Sequence, residues 1–207
     1  MPIEPELITN MSRKKKNNSP WLDDALEAVR TLRAGGVIIH RSDTVWGVAC
    51  DATNSEAVSK LRKLKRRDDN SPILVLVADN GLIKRHFSDI PEAAWDLFEH
   101  SNRPTTVIMP GGKGVDPSIL GPEDSLGIRL VHDEWTQFVS RGLARPLASS
   151  SANISGSPTP INFDSITLEM LDGADFTSSH RRSELDSSRP SFIAAFDANG
   201  RFKILRS

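Results

Sequence analysis

Residues 35–44 have the sequence GGVIIHRSDT, and this stretch sets the pattern for the rest of the chain. The apolar run Val37-Ile38-Ile39 predicts a short buried strand. The two glycines before it are typical of a helix end, and apolar residues recur at helical spacing upstream of them. These residues are Leu22, Ala25, Leu26, Val29 and Leu32. A polar turn follows the strand, and a second helix is expected to begin near Asn54 or Ser55.

Strand and helix signals alternate from there to the end of the chain. The predicted strands are residues 73–77, 105–109, 126–130, 192–196 and 202–205. The predicted helices follow Pro91 and cover about residues 134–141 and 163–171, and Ser19-Pro20 is the predicted start of the first helix. Asn199-Gly200 lies between the last two strands and predicts a hairpin. This order indicates an α/β fold with a mixed sheet and flanking helices.

Length and composition limit the class of protein. A chain of 207 residues favours one folded domain, here residues 19–207, after a basic and flexible segment at residues 1–18. The net charge of −1 gives no bulk electrostatic reason to expect nucleic-acid binding. A single cysteine, Cys50, excludes a disulfide framework. Apolar runs are far shorter than the roughly 20 residues that span a bilayer. We therefore expect a soluble, cytoplasmic protein without a membrane partner.

Two polar segments each have two interpretations. The basic run from Ser12 to Asn18 either contacts RNA phosphates or is a solvated terminal segment. The segment from Ser178 to Pro190 is rich in serine and arginine and is expected to be weakly ordered. It either folds over a bound nucleotide as a lid or remains a solvated surface loop.

Several familiar active-site motifs are missing from the sequence. Neither G-x-x-x-x-G-K-[ST] nor G-x-G-x-x-G after a strand occurs, and Gly111-Gly112-Lys113-Gly114 lacks the spacing of a phosphate loop. The histidines and the one cysteine do not have zinc-ligand spacing, so no protein metal site is expected. The serines at 149–151 lack the G-x-S-x-G elbow of a serine hydrolase.

Cationic and hydroxyl side chains instead lie at the ends of predicted elements, where ligands of open α/β sheets usually bind. They are Lys65, Arg67, Arg129, Ser42, Thr44, Ser151 and Ser191. Such a set forms an anion-binding surface without a nucleophile, which suits a triphosphate. Ordinary surface polarity explains the spacing equally well, and cations in the last turn of a helix also stabilise it through the dipole.

The stretch from Ser42 to Ala52, SDTVWGVACDA, resembles the P-T-D-T-V-Y-G-L-x-x-D-A signature of the YrdC-like family. The K-x-R motif of that family is matched by Lys65-Arg66-Arg67, and its S-x-N motif by Ser151-Ala152-Asn153. Shorter segments follow in family order at residues 104–106, 127–129, 189–191 and 204–206. Each match is weak alone, but the ordered set is specific and covers residues 25–206. The resemblance implies a YrdC-like single domain with a concave basic cavity.

Arg41-Ser42 replaces the Pro-Thr of the family signature, which keeps a hydroxyl but loses the rigid turn. Three further residues depart from the family pattern. Trp46 replaces a tyrosine and is expected to keep an aromatic wall, although the phenolic hydroxyl is lost. Leu76 stands where many members have a histidine, which puts one substrate contact in doubt. Phe192 replaces a threonine and removes a hydroxyl near the expected phosphates.

The YrdC-like family includes the L-threonylcarbamoyladenylate synthases, so the resemblance implies a nucleotidyltransferase that acts in tRNA processing. Its substrates would be ATP, L-threonine and bicarbonate, and its products threonylcarbamoyl-AMP and pyrophosphate. Magnesium is the expected metal, held mainly through the phosphates of ATP. A threonylcarbamoyl transferase would be the partner, and contact with tRNA is open. The alternatives are a YrdC-like paralogue with another acceptor and a non-catalytic RNA-binding module.

The resemblance also assigns roles to individual residues. The catalytic residues are expected to be Lys65, Arg67, Ser151 and Asn153. The residues expected to bind threonine are Ser42, Thr44, Arg129, Ser149 and Ser191. The residues expected to bind ATP are Lys65, Arg67, Ser71, Ser125, Ser151, Asn153, Thr159 and Arg206.

Overall fold

A mixed nine-stranded sheet organises the part of the chain that the computed structural model describes, residues 19–68, 71–184 and 190–207. Its strands are β1 Ile38–Arg41, β2 Trp46–Asp51, β3 Leu74–Val77, β4 Thr105–Met109, β5 Leu126–Leu130, β6 Leu147–Ser151, β7 Phe176–Thr177, β8 Phe192–Phe196 and β9 Phe202–Arg206. The helices are α1 Leu22–Arg33, α2 Ser55–Lys65, α3 Asn80–His86, α4 Glu92–His100, α5 Glu134–Leu143 and α6 Leu168–Asp172. Short 3₁₀ turns cover Pro117–Ile119, Pro122–Asp124 and Phe163–Ser165.

The strand order is β7-β1-β2-β6-β3-β5-β4-β8-β9. Three neighbouring pairs are parallel, namely β1 with β7, β3 with β5, and β4 with β8. The pairs β1–β2, β2–β6, β3–β6, β4–β5 and β8–β9 are antiparallel. The predicted α/β class with a mixed sheet is therefore confirmed.

Helices cover both faces of the sheet, and strand alternation decides which residues each face contributes. On one face, α1 and α5 pack over β1, β2, β3 and β6 through Leu32, Trp135 and Leu143. On the other face, α2, α3 and α4 pack over a larger apolar cluster. Beyond the edge of α1 and α5, the first face continues into a cavity.

Most predicted elements form close to their predicted bounds. Asn54 begins α2 as expected, because its side-chain oxygen accepts hydrogen bonds from the backbone N–H groups of Glu56 and Ala57. The predicted hairpin forms between β8 and β9, with Gly200 at a positive φ of 76°. Ser19 is not the cap of α1, since the helix begins at Leu22 after Trp21. The predicted helix over residues 163–171 divides into a 3₁₀ turn and α6.

The sequence pattern misses β2, α3 and β7, and it does not predict β6, whose sequence LASSS has few apolar residues. Strand β2 is buried along its whole length, but its sequence WGVACD is neither a continuous apolar run nor an alternation. Helix α3 and strand β7 are short, at seven and two residues.

The predicted basic segment at residues 1–18 lies outside the described residues, and so does the part of the predicted loop at residues 185–189. Within the described ranges, no helix combines the length and the apolar character needed to cross a bilayer.

Candidate active site

A cavity of about 210 Å³ lies on the sheet face that carries α1 and α5, beyond the edge of those helices. Most of the site residues predicted from the sequence line this cavity, and they come from distant parts of the chain. These residues are Ser42, Thr44, Arg67, Arg129, Ser149, Ser151, Thr159, Ser191 and Arg206. Together with Ser150, these residues place three arginines and seven hydroxyl side chains around one space, which suits anionic groups with several oxygen atoms.

The turn between β1 and β2 forms one wall of the cavity. The hydroxyls of Ser42 and Thr44 lie 2.9 Å apart, and the Ser42 hydroxyl also accepts from the Thr44 N–H at 3.2 Å. The Arg41 guanidinium donates to the Thr44 carbonyl at 2.8 Å and closes the turn from behind. These contacts hold both hydroxyls in place in the absence of the rigid proline found in the family signature.

Arg129 lies at the bottom of the same wall and is almost fully buried. Its Nη2 atom lies 3.2 Å from Asp43 Oδ1 and 3.4 Å from Ser42 Oγ. Burial lowers the pKa of Arg129 from its ordinary value, and the nearby carboxylates of Asp43 and Asp133 oppose that effect. Arg129 was predicted to pair with the carboxylate of threonine, and here its partner is Asp43.

The two cations of the K-x-R motif point to different places. Arg67 lines the cavity and donates to the Pro72 carbonyl at 2.8 Å. Lys65 is buried beside the cavity, where its Nζ donates to the carbonyls of Ser151 and of Asn153, the latter at 2.7 Å. The residue between them, Arg66, ends α2 in the left-handed region with φ of 48°. This reversal of the backbone separates the two side chains.

Lys65 is therefore placed to hold the S-x-N segment against the end of α2. The Lys65 carbonyl also accepts from the Ser155 N–H at 2.8 Å, which joins the same two segments a second time. Burial, reinforced by the charge of Arg67, lowers the pKa of Lys65 to about 8. The lysine therefore still carries its charge for the most part at neutral pH, although less firmly than an exposed lysine.

Three more predicted residues lie outside the cavity wall. The Asn153 amide donates to the carbonyls of Ile154 and Ser157, at 2.9 and 2.7 Å, and closes its own loop. Ser71 contributes its carbonyl to Arg62 at 3.0 Å, and Ser125 forms a backbone bridge with Gly121. The roles expected of these residues in ATP binding stay predictions.

The opposite wall comes from the two strands at the end of the chain. The Ser191 hydroxyl lies 2.9 Å from the Thr106 hydroxyl on β4 and accepts from Arg206 Nη2 at 3.0 Å. Arg206 Nε donates to the Ser191 carbonyl at 2.7 Å. Arg206 is thereby fixed beside the cavity although β9 is a solvent-exposed edge strand.

Of the departures from the family pattern, Ser42 lines the cavity, whereas Trp46, Leu76 and Phe192 do not. Trp46 is fully buried on the opposite face of the sheet, where its ring packs 5.0 Å from that of Phe163, so the expected aromatic wall does not form. Leu76 is buried beneath α1 and α5. Phe192 packs under the Arg103 guanidinium at 4.4 Å, and its neighbours Ser191 and Ile193 line the cavity instead.

Sequence reasoning gave no role to several residues that shape this site. Asp43, which pairs with Arg129, stands inside the quoted signature and could have been found there. Gly47 and Leu74 line the cavity only because β2 and β3 lie in the middle of the sheet. His40, next to Gly47 on β1, gave no signal because it stands at the end of an apolar run.

The donor set of the cavity is cationic and hydroxylic, which does not fit a metal ion held by the protein itself. Among residues 19–68, 71–184 and 190–207, no three His, Cys, Asp or Glu side chains cluster in a way that could bind one. That magnesium is held through the phosphates of ATP stays a prediction.

Comparison of the sequence with known protein families identifies one family that covers most of the chain. The sequence model of the family described as "Telomere recombination", which joins Sua5, YciO and YrdC, covers residues 30–207. A threonylcarbamoyl-AMP synthase of Stenotrophomonas maltophilia is 30% identical over 152 residues, which are 70% of this chain and 82% of the relative. A putative threonylcarbamoyl-AMP synthase of Methanocaldococcus jannaschii is 32% identical over 144 residues, 69% of this chain and 66% of the relative.

A solved structure has the same fold. The crystal structure of P. abyssi Sua5 complexed with L-threonine superposes with a TM-score of 0.76 at 21% identity. The alignment covers 92% of this chain and 55% of that one, so this chain spans about half the length of Sua5. At this identity the likeness establishes the fold.

Proposed function

The chain belongs to the Sua5, YciO and YrdC family, and we propose that it condenses L-threonine, bicarbonate and ATP into threonylcarbamoyl-AMP and pyrophosphate. Relatives that bear the name threonylcarbamoyl-AMP synthase support an enzyme of this kind. The observation that carries the proposal is the wall of the cavity, where Arg67, Arg129 and Arg206 from three separate elements meet a set of hydroxyls.

The chemistry needs positioning and charge neutralisation more than a nucleophilic side chain. The amine of threonine attacks bicarbonate, a carbon–nitrogen bond forms, and water leaves to give a carbamate. A carbamate oxygen then attacks the α-phosphorus of ATP, and the bond from that phosphorus to the bridging β-phosphate oxygen breaks. Pyrophosphate leaves with the electron pair. Fixed guanidinium groups stabilise the charge on the leaving phosphates.

We assign the two more exposed arginines of the cavity to the triphosphate. Arg67 follows the end of α2, and Arg206 is fixed by the backbone and hydroxyl of Ser191. Lys65 has three N–H donors, and the carbonyls of Ser151 and Asn153 take two of them. Lys65 is buried and does not line the cavity, so its proposed contact with a phosphate oxygen rests on the K-x-R motif.

We assign the buried end of the cavity to the amino acid. Arg129 Nη2 lies 3.4 Å from the Ser42 hydroxyl, which is itself 2.9 Å from that of Thr44, and Arg129 would exchange Asp43 for the substrate carboxylate. The complex of P. abyssi Sua5 with L-threonine supports an amino-acid site in this fold. The three departures Trp46, Leu76 and Phe192 lie away from the cavity, which favours threonine over another acceptor.

Magnesium belongs to the proposal as the companion of ATP, and it would supply charge neutralisation on the phosphates. No residue of this chain is assigned to it. The product would pass to a threonylcarbamoyl transferase that modifies the adenosine beside the anticodon of tRNA.

The test is the release of pyrophosphate from ATP by the purified chain, with threonine, bicarbonate and ATP each omitted in turn. We expect release only when all three are present, together with an AMP product that contains both threonine and the carbamoyl carbon. Release without bicarbonate, or with another amine in place of threonine, would support a paralogue with a different acceptor. No release under any condition, with tight and salt-dependent RNA binding, would support a binding module instead.

A further inference from the structure

His40 is a polar side chain that is enclosed behind the cavity wall and does not itself line the cavity. It is fully buried, and its ring stacks on that of Trp135 with centroids 5.3 Å apart and planes 16° from parallel. Neither ring nitrogen makes a hydrogen bond of normal geometry with any residue in the described ranges. Because an unsatisfied buried polar group costs free energy, such a group in a folded protein calls for a partner.

The space next to His40 opens because Gly47 has no side chain. His40 and Gly47 are opposite each other in the β1–β2 pair, so they share a face of the sheet. A Cβ atom placed on Gly47 would lie 3.2 Å from the Ser150 carbonyl oxygen, 3.4 Å from Ser149 Oγ and 3.7 Å from His40 Nε2. Both Gly47 and Ser149 line the cavity. Gly47 and Ser149 thus open a small gap to the ligand space, and the gap is bordered by His40 Nε2, the Ser149 hydroxyl and the Ser150 carbonyl.

The histidine at this gap is uncharged, whereas the arginines in the rest of the cavity wall are cations. Burial and the nearby Arg129 guanidinium lower the pKa of His40 to about 4, while the Arg41 carbonyl has a weaker opposing effect. The ring is therefore neutral at neutral pH, with one nitrogen that donates and one that accepts. The arginines provide for anionic groups, whereas a neutral imidazole beside a serine suits a neutral group that both donates and accepts.

We propose that the gap over Gly47 receives the side-chain hydroxyl of the amino-acid substrate, with His40 and Ser149 as its hydrogen-bond partners. This proposal rests on the proposed function and adds a basis for substrate choice. The Arg129 end of the cavity holds the carboxylate, and the side chain of the amino acid points toward β1. Valine has a methyl group in place of the hydroxyl and leaves both polar groups unsatisfied.

The first measurement is the ratio of kcat/KM for threonine to that for valine, from pyrophosphate release at saturating ATP and bicarbonate. In the unmodified protein we expect a preference for threonine of at least about 100-fold. His40→Phe keeps the ring on Trp135 and removes both nitrogens, and Ser149→Ala removes the hydroxyl. Each variant should reduce the preference by about tenfold or more, which corresponds to one lost hydrogen bond. His40→Gln, whose amide reaches a similar depth, should restore part of it.

A binding measurement separates this proposal from the proposed function. L-Threonine and L-valine are titrated calorimetrically into the unmodified protein and both variants, and circular dichroism establishes that each variant is folded. Release of pyrophosphate with an unchanged threonine preference in either folded variant would overturn the role of the gap alone. A preference for binding threonine that the variants lose, without any pyrophosphate release, would support the gap and overturn the reaction. No threonine binding to the unmodified protein would overturn both.

Discussion

Two halves of one sheet face differ although the same strands run through both. In the covered half, beneath α1 and α5, the residues that face the helices are apolar; they are Ile38, Ala49, Leu76 and Leu147. Two positions along three of these strands, on the same face, lie residues of the open half that line the cavity; they are Gly47, Leu74 and Ser149. On β1 the corresponding residue is His40, which is buried at the boundary between the two halves, under Trp135 of α5. Strand alternation fixes the face, and the helices above it decide which half is core and which half is ligand surface.

The comparison predicts that substitutions in the two halves have different effects on stability and activity. A change in the covered half should lower stability and leave the chemistry of the folded protein intact. A change in the open half should lower activity and leave stability nearly intact. The following predictions test this separation.

The largest effect on stability is expected from Leu76→Ala in the covered half. Leu76 is fully buried, and its loss should lower the free energy of unfolding by about 2–5 kcal/mol, since transfer and cavity effects add. Urea unfolding measures the change, and pyrophosphate release below the transition should continue. Thr159→Ala, an exposed change at the cavity, is the control and should stay within about 0.5 kcal/mol. A folded Leu76→Ala protein without activity would show that Leu76 contacts substrate after all.

Arg67→Ala should give the matching effect in the open half. We expect a loss of at least about 2 kcal/mol of transition-state stabilisation in kcat/KM for ATP, because a cation at the leaving phosphates would be missing. Unfolding should change little, since a cation near a helix end contributes only about 0.3–1 kcal/mol. Arg66→Ala is a matched control, because the neighbouring arginine pairs with Glu169 on the surface. Equal activity of the two variants would leave Arg67 with a structural role only.

Arg66 and Arg67 also show which features of the site could be predicted from the sequence and which could not. The apolar runs and the K-x-R and S-x-N motifs predicted the fold class and most of the cavity wall. They did not predict that Lys65 turns inward while Arg67 turns to the cavity, because that depends on the left-handed conformation of Arg66. Strand β2 was missed because burial on both faces removes the alternation that reveals a strand.

His40, at the boundary between the two halves, leads to a prediction of how stability changes at acidic pH. His40 has a pKa of about 4 in the folded chain against an ordinary value of 6.5. Between those values the unfolded chain binds more protons, so stability should fall as the pH drops from 6.5 toward 4. The contribution of His40 to the slope approaches about 1.4 kcal/mol per pH unit. His40→Phe should remove this part of the acid dependence, and urea unfolding at several pH values measures it. Parallel curves for the two proteins would mean that His40 has a similar pKa in both states.

The smallest effect concerns residues 178–184, the described part of the segment that was predicted as either a lid or a solvated loop; residues 185–189 lie outside the described chain. Asp24 on α1 accepts from the Ser178 hydroxyl at 2.6 Å and from the Ser179 N–H at 2.6 Å. The Ser178 N–H donates to the Ile39 carbonyl at 2.9 Å. This part of the segment is therefore attached to the covered half, and its amides should be protected from hydrogen exchange without any ligand.

Asp24→Asn tests that attachment, because the amide keeps one oxygen acceptor and loses the charge and the second one. We expect faster exchange at Ser179, by a factor that corresponds to about 1 kcal/mol, while amides of the central strands stay protected. Asp23→Asn, an exposed change on the same helical turn, is the control and should leave the exchange as it is. Protection at Ser178 and Ser179 that arises only with ATP and threonine would overturn the attachment and support the lid.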